Sequence, residues 1–182
     1  MPKRKQFGKK LTPTQRVELE FLKSRIRTTE LYGGNDRIKP CKRLVIRKAD
    51  KGWPSKKMRN KITDFPQYLF PCHVVYMLEY NVQMPNPKIR ELSHRCADPN
   101  YKKVDKQGSC ANCIEPSHMN LRPHHQNKGQ CHCHNAIKHY EQGNRWDPSI
   151  DTSGVILVAD IPNCKISCEH HPKCLGNFVK HK

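Results

Sequence analysis

The stretch from Ser93 to His134 holds half of the chain's cysteines and more than half of its histidines in less than a quarter of its length. Nothing else in the sequence restricts the fold as much. Clustered thiols either close into disulfides or converge, together with imidazoles, on a metal ion. The N-terminal "MPKRKQFGKK" is charged from its first residues, and no apolar run of the kind that opens a secretory signal follows it. That favours a reducing, intracellular setting, where Cys and His side by side serve as metal ligands. Disulfides have no use for the interleaved imidazoles, so zinc is the expected occupant.

Two knots follow from spacing alone. Cys96, Cys110, Cys113 and His118 lie close together with turn-forming residues between them. Short loops let such donors converge on a tetrahedral ion with little ordering cost. The "CANC" pair by itself also fits redox chemistry, and the histidine five residues on tilts it toward metal. A second group, Cys168, His170 and Cys174, has three donors in seven residues and lacks a fourth, which Cys131 or Cys133 could supply. Such cross-links suit a chain with a thin core. Only 35% of its residues are hydrophobic, and its mean hydropathy is -0.88, little for 182 residues.

Charge narrows the partner. Lysine and arginine total 34 against 16 acids, a net +18, which points to a polyanion such as DNA or RNA. No run is long and apolar enough for a transmembrane helix, so a membrane partner is not expected.

The expected architecture is α+β in one small domain. Residues 1–10 form a basic arm, residues 11–35 carry a helix capped by Thr12 with Pro13 in its first turn and ended by "GGND", and residues 36–182 form the zinc-stapled body. Within that body "KRLVIRK" and "MRNKITDF" alternate basic and apolar residues, as an antiparallel ribbon with a basic face for the DNA major groove would. "CHVVYMLEYNV" reads as a short buried helix in which Cys72 and His73 pack, and "KIRELSH" as a strand. Pro123 starts a helix in "RPHHQNKGQ", "NAIKHYEQGNRWDPSIDTSG" is a polar connection, and "VILVADI" is a further β-run.

His94 and Asn127 are left over. A zinc fixing Cys96 would hold the imidazole two residues before it rigidly, as a general base requires. The side-chain oxygen of Asn127 is a hard donor suited to Mg²⁺. Taken together, "SHRC", the Cys113-x4-His118 pair, Asn127 followed by "KG", and Cys168-x-His170-x3-Cys174 resemble the His-Cys box homing endonucleases, of the His-Me finger or ββα-metal class. The likeness runs unevenly over residues 41 to 174, and from His118 to Gly129 the spacing matches without a gap.

The resemblance implies a ββα-metal nuclease core with His94 as general base and Asn127 as the Mg²⁺ ligand. It implies a first zinc on Cys41, Cys96, Cys113 and His118, with Cys41 preferred to Cys72. It implies a second zinc on Cys168, His170, Cys174 and Cys133, with Cys131 the alternative. The stretch between Cys96 and Cys113 is longer than in the family, which leaves Cys110 a competitor for the first zinc, and a large insertion separates Cys133 from Cys168. A basic residue near the scissile phosphate would be Arg59 or Lys61. Double-stranded DNA as partner, a two-fold homodimer and a nuclear location follow as expectations. The rival reading is a zinc-stapled nucleic-acid-binding protein without activity.

Overall fold

A computed structural model of the chain describes residues 9–26, 29–34, 36–44, 58–59, 68–85, 89–97, 113–142, 155–157, 168 and 170–177. The arm residues 1–8, Lys61 and Cys110 lie outside them.

The first helix, α1 (Pro13–Ser24), starts where local chemistry dictates. The Thr12 hydroxyl accepts from the Gln15 backbone N–H while the Gln15 side chain accepts from the Thr12 N–H, so both orphan donors are met. The helix stops at Ser24 rather than running toward "GGND". Residues Thr29–Tyr32 instead form β1, antiparallel to β2 (Cys41–Leu44). Two glycines at positive φ, Gly33 and Gly34, turn the chain between them, and a Cβ on Gly34 would lie 2.8 Å from the Pro40 nitrogen.

Short strands β3 (Met58–Arg59) and β4 (Tyr68–Leu69) pair next. Of the two segments expected to form the basic ribbon, residues 42–44 and 58–59 are described, in β2 paired with β1 and β3 paired with β4; the rest of both lies outside the described residues. Arg43, expected on a basic outer face, is buried, while Lys42 is exposed. The end of the arm is also tied down. Lys10 bridges to Val82, and the Lys9 carbonyl accepts from the Gln83 N–H.

Helix α2 (Pro71–Tyr80) is the buried apolar helix its sequence indicates, ended by Asn81 in the left-handed region at φ 54. It packs on α1, and Leu19, Leu22, Leu69, Val74, Met77 and Leu78 close one core. Each such side chain contributes about 1.5–3 kcal/mol of burial. The other side of α2 shares a second cluster, Cys72, Tyr76, Val82, Ile114 and Met119, with Leu92 and Leu121 against it.

Those last residues belong to the element that positions the candidate site. Strand β5 (Glu91–His94) runs antiparallel to β7 (Met119–Arg122), pairing Glu91 with Arg122 and His94 with Met119. Beyond Arg95 the chain continues as β6 (Cys96–Ala97), and a 3₁₀ turn at Pro116–His118 leads into β7. Helix α3 (His124–Gln142) follows directly after Pro123. It takes in "NAIKHYEQ", which reads as connection in the sequence. Strands β8 (Val155–Leu157) and β9 (Leu175–Asn177) complete a three-stranded sheet in the order β6-β9-β8, with β9 parallel to β6 and antiparallel to β8. The molecule is thus a small α+β body whose sheets are two or three strands wide, with two clusters of cysteine and histidine between them.

Candidate metal centres and the residues around them

The first cluster is drawn from four separate places. Cys41 opens β2, Cys96 opens β6, Cys113 lies in an isolated bridge opposite Arg43, and His118 ends the 3₁₀ turn. Backbone bonds hold them in register: the Ile114 N–H donates to Lys42 O at 2.7 Å and the Arg95 N–H to His118 O at 2.7 Å. All four side chains are buried, and their donor atoms lie within 4.8 Å of one another. His118 Nδ1 stands 3.3 Å from Cys41 Sγ and 3.7 Å from Cys113 Sγ. In a zinc tetrahedron with arms of about 2.0–2.3 Å, neighbouring donors are about 3.3–3.8 Å apart, so these residues fit the ion. Burial raises the Cys113 thiol, but hydrogen bonds from Cys41, Cys96 and His118 outweigh it and hold the group well below its ordinary range. A thiolate is the form a metal requires.

Cys72, the other candidate for this cluster, is elsewhere. It sits in the apolar cluster under α2, where burial pushes its thiol up to about 12. His73 beside it is packed edge-on against Phe70. Burial, with the charge of His94, pushes its imidazole down to about 4.

The second cluster is built from α3 and the C-terminal segment. Cys133, Cys168, His170 and Cys174 place their donor atoms within 4.8 Å of one another, His170 being the one partly exposed member. His170 Nδ1 is 3.6 Å from Cys168 Sγ and 3.5 Å from Cys174 Sγ, again the edge lengths of a zinc site. Hydrogen bonds from Cys133 and Cys174 lower the Cys168 thiol, and the bond to Cys168 raises that of Cys133. Of the two candidates for the fourth donor, Cys133 is in the group; Cys131 also lies on α3, but its side chain is outside the described residues.

One arginine runs between the clusters. Arg95 donates through Nε and Nη2 to Lys173 O at 3.1 and 2.8 Å, and through Nη1 to Ser117 O at 3.2 Å. Its own carbonyl accepts from the Leu175 N–H and from His134 Nε2. Gln130 of α3 accepts from the Ser93 hydroxyl and donates to Cys174 Sγ at 3.5 Å.

His94 ends β5 with Nε2 2.8 Å from the Cys113 carbonyl oxygen. That oxygen can only accept, so in the neutral ring Nε2 carries the proton and Nδ1 the lone pair. Asn127 lies in the first turn of α3, and its Nδ2 donates to Glu91 Oε2 at 2.7 Å. His124 Nδ1 is 3.0 Å from the other Glu91 oxygen. The Asn127 bond is the main reason that the Glu91 carboxyl lies below its ordinary value.

His94 and Asn127 are held by different neighbours. Side chains alternate along β5. Glu91 and Ser93 turn to α3, meeting Asn127 and Gln130. Leu92 and His94 turn to the face shared with α2, where Leu92 joins the Tyr76 and Met119 cluster and His94 repels charge on His73. His94 and Glu91, three residues apart on β5, point to opposite sides of the strand, and Asn127 meets the Glu91 end. Among the described residues only the two Cys3His groups gather three or more charged or imidazole donors, and Asn127 belongs to neither.

Glu91, Arg95 and Gln130 were not singled out by the sequence. The period-two alternation of Glu91 with Ser93, read together with a helix starting at Pro123, was the signal that could have found Glu91 and Gln130. The side chain of Arg59 is outside the described residues, although its backbone forms β3. No helix among the described residues is long and apolar enough to cross a membrane. Compared with family models, curated proteins and solved structures, the chain matches none.

Proposed function

We propose that this protein is a Mg²⁺-dependent DNA endonuclease that hydrolyses phosphodiester bonds with His94 as general base, on a scaffold clamped by two structural zinc ions. The observation that carries the reading is the His94–Cys113 hydrogen bond. It fixes the tautomer and direction of a histidine through the backbone of a residue in the first metal cluster, and leaves Nδ1 to take a proton from water. The "SHRC" and "NKG" segments that suggested a His-Cys box nuclease lie across the end of β5 and the start of β6, and in the first turns of α3.

Asn127 would hold Mg²⁺ through Oδ1, because its Nδ2 edge is taken by Glu91. The ion would supply positive charge to the phosphate oxygens as charge builds on them. The +18 net charge draws the DNA backbone in, with Arg59 and Lys61 as the proposed phosphate contacts. A homodimer on a near-palindromic site, and a nuclear location, belong to the same proposal.

A second reading, a zinc-stapled nucleic-acid binder without catalysis, is favoured by the two Cys3His groups and the +18 charge, which it accounts for without a catalytic pair. One assay separates the two. Supercoiled plasmid is incubated with the zinc-loaded protein in Mg²⁺, with and without EDTA, beside His94→Ala. The nuclease reading expects nicking that EDTA stops and that His94→Ala slows by about 10²–10⁴ with DNA binding retained. DNA retention without nicking, or nicking equal in His94→Ala, assigns the protein to the binders or moves the base elsewhere.

A further inference from the structure

We infer that Glu91 is a positioning residue for Asn127, fixing the carboxamide so that its oxygen rather than its nitrogen faces the cation. The inference rests on the nuclease reading in taking Asn127 as the Mg²⁺ ligand.

Donors and acceptors decide the orientation. A carboxamide has two edges of nearly equal shape, and rotation by half a turn about its last bond exchanges a metal-binding oxygen for an NH₂ that repels cations. A lone asparagine at a helix start has little to choose between them. A carboxylate can only accept, so the 2.7 Å contact between Glu91 Oε2 and Asn127 allows only the NH₂ edge on that side. Oδ1 must then point away from Glu91.

Glu91 is itself held. His124 Nδ1 meets its second oxygen at 3.0 Å, and strand pairing of Glu91 with Arg122 fixes its backbone one residue before Pro123 and the start of α3. The carboxylate therefore has both oxygens engaged and stands as an orienting anion next to the cation position. Its negative charge adds attraction for a divalent ion without the residue having to ligate it.

The test uses the zinc-loaded full-length protein with Mn²⁺ as the probe. Free Mn²⁺ is followed by electron paramagnetic resonance in the presence of duplex DNA, for wild type, Glu91→Ala, Glu91→Gln and Asn127→Ala. Zinc content and far-ultraviolet circular dichroism confirm that each variant is folded. Glu91→Ala should weaken Mn²⁺ binding about tenfold or more, toward the Asn127→Ala level. Glu91→Gln can still accept from Asn127 through Oε1 but neither forces that edge nor carries the charge, and should recover part of the loss. In the plasmid assay Glu91→Ala should need a higher Mg²⁺ concentration while its rate at saturation stays near wild type.

Binding in Glu91→Ala within twofold of wild type overturns the inference. So does Glu91→Gln binding as weakly as Glu91→Ala, which would make the carboxylate a ligand. A wild-type protein with no Asn127-dependent Mn²⁺ site overturns it as well. The two readings fail separately. An Asn127- and Glu91-dependent Mn²⁺ site in a protein that never nicks DNA leaves the positioning role and removes the nuclease; nicking with unchanged metal demand in Glu91→Ala does the reverse.

Discussion

The two metal clusters share one composition, three cysteines and a histidine, and differ in what they tie together. The first draws its donors from β2, β6, the Cys113 bridge and the turn before β7, spanning 77 residues between Cys41 and His118. Every donor is buried, and Leu175 and Ile38 pack against them. The second takes three donors from the seven residues 168–174 and one from α3, with His170 partly open to solvent. The first cluster thus occupies the place of a hydrophobic core, whereas the second fastens an end of the chain to a helix. A cross-link closing a long loop removes more freedom from the unfolded chain than one closing a short loop, and burial limits exchange of the ion.

The largest expected effect tests that asymmetry directly. Structural zinc is worth about 10–16 kcal/mol in apparent binding, as much as the whole stability of a typical domain. Cys113→Ser should therefore abolish cooperative unfolding and the near-ultraviolet dichroism signal. Cys168→Ser should leave a folded body that retains one zinc per chain. Stepwise chelation of wild type, read with a coloured zinc indicator, should release the second-cluster ion well before the first. Simultaneous release, or equal damage by both substitutions, would show that the clusters act as one unit.

A smaller effect probes the link between them. Arg95 joins the carbonyls of Lys173 and Ser117, and replacing a charged hydrogen-bonding group of this kind costs about 3 kcal/mol. In Arg95→Met, urea unfolding should show that loss. Chelating the second zinc should then lower the unfolding midpoint by less than it does in wild type, since the coupling has been cut. An undiminished drop would place the coupling in the β6–β9 pairing alone.

The smallest effect concerns acid and the β5–β7 side of the fold. His73 titrates near 4 in the folded protein against an ordinary 6.5, chiefly because it is buried. The unfolded chain takes the proton first as pH falls, so this stability is present above 6.5 and is lost on the way down to about 4. Between pH 7 and pH 5 the loss amounts to about 2 kcal/mol. With zinc in excess, His73→Phe should be less acid-sensitive than wild type by that amount in urea midpoints. Equal sensitivity in the two proteins would assign the acid response to the zinc ligands instead.

Much of the local structure was legible in the residues. Thr12, Pro13 and Gln15 specify the start of α1 through a capping box, and the apolar run after Pro71 specifies a buried helix. The end of α1 was not legible, because Arg25 and the residues after it carry no strong stop signal before Gly33. Strand β1 exists only because β2 is there to pair with it. The same holds for Arg43, which reads as part of an exposed basic face but is buried where β2 meets the Cys113 segment.

What the sequence by itself determined is the short-range chemistry: a Cys-x4-His and a Cys-x-His-x3-Cys whose loops are too short to do much other than converge their donors. Tertiary structure decided the long-range choices. Strand pairing brings Cys41 rather than Cys72 to the first cluster, and the rise of α3 brings Cys133 to the second. Pairing of β5 with β7 also sets His94 and Glu91 on different faces and gives Asn127 its carboxylate partner. Spacing fixes which donors a short loop can gather, whereas a distant donor is selected by the packing and register that carry its backbone there.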